Sequence, residues 1–117
     1  MSAWDEDIFA DDVNVDFLDE LANLDDEDIV ESVSDACALA TNGNSVSEEE
    51  QRNALAAATI AAIWAGAPFS AGEIVSSYPF IRELAGSGSE ELNEQALELL
   101  EGVEEDYDLE AFIEALS

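Results

Sequence analysis

Residues 53–68 read NALAAATIAAIWAGAP. Fourteen consecutive positions, Ala54 to Ala67, carry nothing ionisable, and the gap in charge extends from Asn53 to Gly72. Alanine is the strongest helix former, and Ile60, Ile63 and Trp64 add bulk. Ser47 and Glu50 stand three apart just upstream, as a capping box requires, with Glu48–Glu50 at the positive end of the helix that follows. Gly66 suits the left-handed position after a helix end, and Pro68 prevents continuation. The stretch therefore predicts one helix that is apolar on every side, a central element enclosed by others. It does not predict a membrane span: its apolar run is about 14 residues, against the roughly 20 needed to cross a bilayer.

Working outward, helical periodicity continues in both directions. Val13, Phe17, Leu21 and Leu24 recur at helical spacing behind a cap at Asp11 or Asp12. Asp25 or Asp26 can cap a second helix whose stripe is Ile29, Val33, Ala36 and Ala40, with Cys37 beside it. After Pro68, Ser70 and Glu73 form a second potential capping box. Pro79 divides that region into a short helix and a further turn set running to Gly86. Ser89 caps a helix with Leu92, Ala96, Leu99 and Val103 inward. A last helix carries Leu109, Phe112, Ile113 and Leu116. No alternating β-branched run is long enough for a strand. The expected fold is all-α: a single small domain over residues 1–117, of five or six short helices around the Ala-rich one. Residues 1–11 are expected to be an extended lead-in, pinned to the core by Trp4, Ile8 and Phe9 while Asp5, Glu6 and Asp7 stay in water.

The N-terminal stretch also carries a family resemblance. Trp4, Phe9, Asp12, Asp16 and Phe17 fall, without gaps, where the bacterial domain-of-unknown-function 4259 family has its opening Gly-x-Trp-Gly-x-Gly-x-Phe-x-Asn-Asp pattern and the Asp-aromatic pair that follows. The Ala-rich helix resembles that family's middle helix. Ser2, Asp5 and Asp7 stand where the pattern has glycine. The resemblance implies a small, mainly helical fold, and brings no activity or site residues.

Charge carries the functional reading. The 117 residues hold 30 acids and two bases, Arg52 and Arg82, for a formal net charge of −28. A well-behaved small domain carries a magnitude of about 2–8. Apolar residues nevertheless make up 48%, enough for a core. The acids are segregated: 13 lie in residues 1–31 and 12 in residues 83–117. Asp12, Asp16, Asp19 and Glu20 line one helix face, and Glu90, Glu94, Glu98 and Glu101 line another. Like charges at this spacing cost a helix about 0.2–0.5 kcal/mol each, so their repetition points to a use.

Several chemistries lack their residues. There is no histidine and no lysine, which removes the usual neutral-pH base, the Schiff-base nucleophile and the commonest metal ligand. DEDIFADD and DDED are oxygen-rich, but they lack the spacing and central glycine of an EF-hand loop, and read as solvated carboxylates. Paired-carboxylate catalysis needs one acid in an apolar pocket, and every acid here falls on a polar face or near a helix start. Cys37 reads as buried and structural, and each arginine as half of a local ion pair. Tyr78 and Tyr107 read as half-buried. No catalytic, cofactor or metal site is assigned.

Direct nucleic-acid binding is disfavoured for want of a basic patch, and binding to an anionic membrane surface fails for the same reason. An acidic N-terminus without an apolar segment reads as no secretory signal, so the expected location is cytoplasmic. The function expected is a non-enzymatic binding or inhibitory protein. Its acidic faces, at Asp12, Asp16, Asp19 and Glu20 and at Glu90, Glu94, Glu98 and Glu101, would engage a basic protein, as a nucleic-acid mimic or an immunity-type inhibitor. The alternative is a structural or housekeeping domain whose acidity serves solubility or salt adaptation.

Overall fold

The uncharged stretch forms the axis of the structure, a computed structural model that describes residues 4–41, 47–67, 72–102 and 109–116. Eight helices occur among the described residues: α1 (Trp4–Ala10), α2 (Asp12–Ala22), α3 (Asp26–Thr41), α4 (Glu48–Trp64), α5 (Gly72–Ser77), α6 (Phe80–Glu83), α7 (Glu90–Glu101) and α8 (Glu110–Leu116). There is no strand among them, so the fold is all-α. Helix α4 is the Ala-rich one. Ala54 and every residue from Ala56 to Trp64 are buried, and α1, α2, α3, α6, α7 and α8 all pack against it. Its alanines project little beyond the backbone, which leaves room for this many neighbours.

The signals at both ends of α4 act as the sequence predicts. Ser47 Oγ accepts from the Glu50 amide at 3.1 Å, and Glu50 Oε1 accepts from the Ser47 amide at 3.1 Å. At the far end, the Gly66 amide donates to Ile63 O and the Ala67 amide to Ala62 O, both at 3.0 Å. Gly66 has φ +110°, a conformation that disfavours any residue with a Cβ. The Trp64 carbonyl accepts from a distant donor, the Gly86 amide at 2.9 Å, which ties the turn after α6 to the end of α4. Ser89 Oγ caps α7 through the Leu92 amide at 3.1 Å. Ser70 and Val103 lie outside the described residues.

The lead-in is not extended. Residues 4–10 are helical, and the helix count is correspondingly higher than five or six. Glu6 and Asp7 fall in the first turn of α1, where negative charge complements the helix N-terminus. Asp5 and Asp7 also replace glycines of the family pattern, and a residue with a Cβ loses less entropy in a helix than glycine does. Ile8 and Phe9 are buried as expected; the side chain of Trp4 lies outside what is described. Asp11 alone separates α1 from α2, and its carboxylate caps α2 by accepting from the Val13 amide at 3.1 Å.

Helix α2 is rotated from its expected face. Asn14, Leu18 and Leu21 are buried, Val13 and Phe17 are only half-buried, and Leu24 lies beyond the helix end and is exposed. The reason is a polar contact that periodicity does not register. Asn14 Nδ2 donates to Ile8 O at 2.7 Å, meeting a carbonyl in the last turn of α1. That bond takes a fully buried asparagine into the core beside Phe9. In α3 the buried line is Ile29, Val33 and Cys37, with Ala36 and Ala40 at its edge, so the cysteine lies on the stripe and not beside it.

Among the described side chains of the seven-residue α1, Phe9 is the most deeply buried and Ile8 is its one buried apolar companion. Phe9→Ala should cost about 3–5 kcal/mol in urea unfolding, the range for a truncated core aromatic. A loss below about 1 kcal/mol would mean that α1 docks without it.

Candidate functional site

The acidic residues singled out in the sequence are all at the surface. Asp12, Asp16, Asp19 and Glu20 are exposed on α2, and Glu90, Glu94, Glu98 and Glu101 are exposed on α7. The two helices make no substantial contact with each other, but α3 packs against both. Its outward residues are acidic as well. Asp28, Glu31 and Asp35 are exposed at intervals of three and four, and so share one ridge on the side opposite Ile29, Val33 and Cys37. The acidic ends of the chain are thus joined through α3 into one succession of three helices laid on α4. Sequence reading missed the α3 row. Its signal was the i, i+3, i+7 spacing of those three acids.

One expected member of the surface is already engaged. The Tyr78 hydroxyl, from the turn between α5 and α6, donates to Asp19 Oδ1 at 2.5 Å. The bond spans 59 positions of sequence and fastens α2 to the α5–α6 corner. Tyr78 is half-buried, as expected, and its ring meets Phe80 edge-on at 6.1 Å. Hydrogen bonding to the Asp19 carboxylate raises the Tyr78 pKa, with smaller contributions from desolvation and from the charges of Asp19 and Asp16. Tyr107 lies outside the described residues.

The arginines differ from each other. Arg52 pairs with Glu48 at 2.7 Å and with Asp11 at 3.4 Å, joining the first turn of α4 to the cap of α2. Arg82 is exposed on α6 and has no carboxylate within 4.0 Å among the described residues, so its expected ion pair is not formed there. Among the described residues, the buried polar side chains are Asn14 and Thr59, and no carboxylate is buried. Nor is any group of three or more acids or thiols among them arranged to hold a metal ion. Cys37 is buried in α3, and desolvation pushes its thiol up to about 12. No helix among the described residues is long and apolar enough to cross a membrane.

Beside the α3 ridge is a small groove. Ser34, Asp35 and Ala38 of α3 face Glu91, Leu92 and Gln95 of α7 and its cap Ser89 across a hollow of about 230 Å³. Leu39 on α3 and Leu24 are the two large apolar side chains exposed among the described residues.

Residues 2–114 match the family described as Domain of unknown function (DUF4259). The chain belongs to this family. No curated protein and no solved structure matches it significantly. Membership agrees with the resemblance carried by Trp4, Phe9, Asp12, Asp16 and Phe17.

The hydrogen-bonded form of Tyr78 is the neutral phenol, so the bond favours folding while the phenol is protonated in both states. That contribution is complete below the ordinary tyrosine value of 10.0 and is lost as pH rises through the higher native value. In a Tyr107→Phe background, ultraviolet titration should show the remaining tyrosine ionising later in the folded chain than in urea, and Asp19→Asn should bring it back towards the ordinary value. Tyr78→Phe should cost at most about 1 kcal/mol, as exposed hydrogen bonds do. Cys37 should resist alkylation at pH 8 until the chain is unfolded, read as adduct mass with and without urea. Rapid labelling of the native chain would mean that α3 opens readily from α4.

Proposed function

We propose that this protein is a non-enzymatic, cytoplasmic binding or inhibitory protein whose acidic helices engage a basic protein surface, as a nucleic-acid mimic or an immunity-type inhibitor. The observation that carries the reading is the succession of exposed carboxylates on α2, α3 and α7. Each helix offers about one such row position per turn, or one per roughly 5.4 Å. Rows on three neighbouring helices raise the charge density of the surface towards that of duplex DNA, which carries one charge per about 1.7 Å of its axis. A surface of that density suits a face evolved to meet phosphates.

The acids are also largely unneutralised from within. Arg52 serves Asp11 and Glu48, neither of which belongs to the outward rows. Opposite charge brought by a partner would relieve repulsion that the isolated chain retains, and would steer association.

The test is capture from host lysate at about 50 mM and about 500 mM salt, read by mass spectrometry. One nucleic-acid-binding or nuclease-type protein should be enriched at the lower salt, released at the higher, and competed off by duplex DNA. Asp12→Lys, Asp16→Lys, Glu20→Lys, Glu31→Lys and Asp35→Lys combined should abolish its capture while the far-ultraviolet circular dichroism is preserved. Asp19 is left intact because Tyr78 depends on it. Absence of any such partner, with strong thermal stabilisation by molar salt, would instead favour acidity that serves solvation.

A further inference from the structure

We propose that the hollow between α3 and α7 is the anchoring point of the acidic surface, and that it takes a single arginine side chain of the partner. This rests on the binding role proposed above and names the chemistry at its centre.

The hollow has the size and lining for such a side chain. Its volume, about 230 Å³, falls below the roughly 300–1,000 Å³ of pockets that enclose whole small molecules. Ala38 and Leu92 contribute apolar surface, while Asp35 and Glu91 supply two carboxylates from opposite helices. Ser34 and Gln95 add a hydroxyl and an amide carbonyl, both able to accept. A long stem ending in a spread of donors and a positive charge matches that order of surfaces. Guanidinium fits better than ammonium, because its planar fork can meet acceptors on both walls at once. The positive end of α7 lies nearby, but Ser89 Oγ already occupies the Leu92 amide, and the first turn carries Glu90 and Glu91. An anion would meet Asp35 and Glu91, and a purely apolar group would leave both carboxylates desolvated without a partner.

The position is also right for an anchor. The hollow adjoins the middle row of the three through Asp35. Interface energy concentrates in such central clefts, where arginine is enriched, and the surrounding contacts mainly exclude water.

The test uses the full chain, labelled with nitrogen-15, and a blocked alanine peptide carrying one central arginine. Lysine and norleucine versions are the controls. The arginine peptide should shift the amide resonances of Ser34, Asp35, Ala38 and Gln95 in a saturable way. The lysine peptide should bind several-fold more weakly, and the norleucine peptide should give no shifts there. Ala38→Phe fills the groove without changing any charge and should remove the saturable shifts. Asp35→Asn, which leaves the packing intact, should weaken binding about threefold to tenfold, whereas Glu49→Gln, at an exposed position outside the three rows, should not. Shifts spread evenly over α2, α3 and α7, and unaffected by Ala38→Phe, would overturn the anchor while leaving the acidic-surface reading to stand on its own test.

Discussion

Eleven helical residues without charge have to be enclosed, and that constraint organises everything else in this protein. From Ala54 to Trp64, α4 offers water almost nothing to hydrogen-bond, and it is covered by neighbours on all sides. Covering it takes short amphipathic helices whose inner faces are apolar. Their outer faces must then carry all the polarity that a domain of this size presents. In this chain the charged part of that polarity is almost entirely carboxylate, 30 acids against two arginines. The segregation of charge along the sequence, acid-rich ends and a neutral centre, is the same fact seen in one dimension: the centre is inside, and the ends are wrapped around it.

The wrapping also decides which acids become neighbours. Residues 12–20 and 90–101 are far apart in sequence and do not pack on each other, yet both pack on α3. Because α3 turns Ile29, Val33 and Cys37 inward, Asp28, Glu31 and Asp35 have to face out. One acidic helix thus bridges two others. The groove between α3 and α7 arises where Ala38 is too small to fill the space beside Leu92.

What the sequence made legible was local. The caps at Ser47 and Ser89, the turn at Gly66 and the enclosure of α4 each depend on residues within a few positions, and each can be read from spacing and side-chain chemistry. What escaped depended on distant or unusual partners. Asn14 enters the core because a carbonyl six residues earlier requires a donor. Asp19 is drawn into the fold by Tyr78, 59 positions away, which no pattern along α2 could reveal. The helix at residues 4–10 was missed because three consecutive acids look like solvated coil, when the same acids favour the first turn of a helix. The α3 row was passed over because its acids are interleaved with isoleucine, valine and serine, and the burial that turns them outward is visible only in three dimensions.

A chain with no lysine or histidine has also had to complete its helix ends without the cations that usually serve them. Acids stand in the first turn of α2, α3, α4, α5, α7 and α8, where they complement the macrodipole. At the opposite ends, Arg82 of α6 is the one base found in a last turn among the described helices. The carbonyls there are met by neutral donors instead: Asn14 Nδ2 for Ile8, Asn23 Nδ2 for Asp19, Thr41 Oγ1 for Cys37, the Gly86 amide for Trp64. Each donor does for a carbonyl what a lysine would do, without altering the net charge. Helix termini therefore do not require the missing cations, and the electrostatic penalty falls chiefly on the outward rows of α2, α3 and α7. Those rows are where the basic partner proposed above would act.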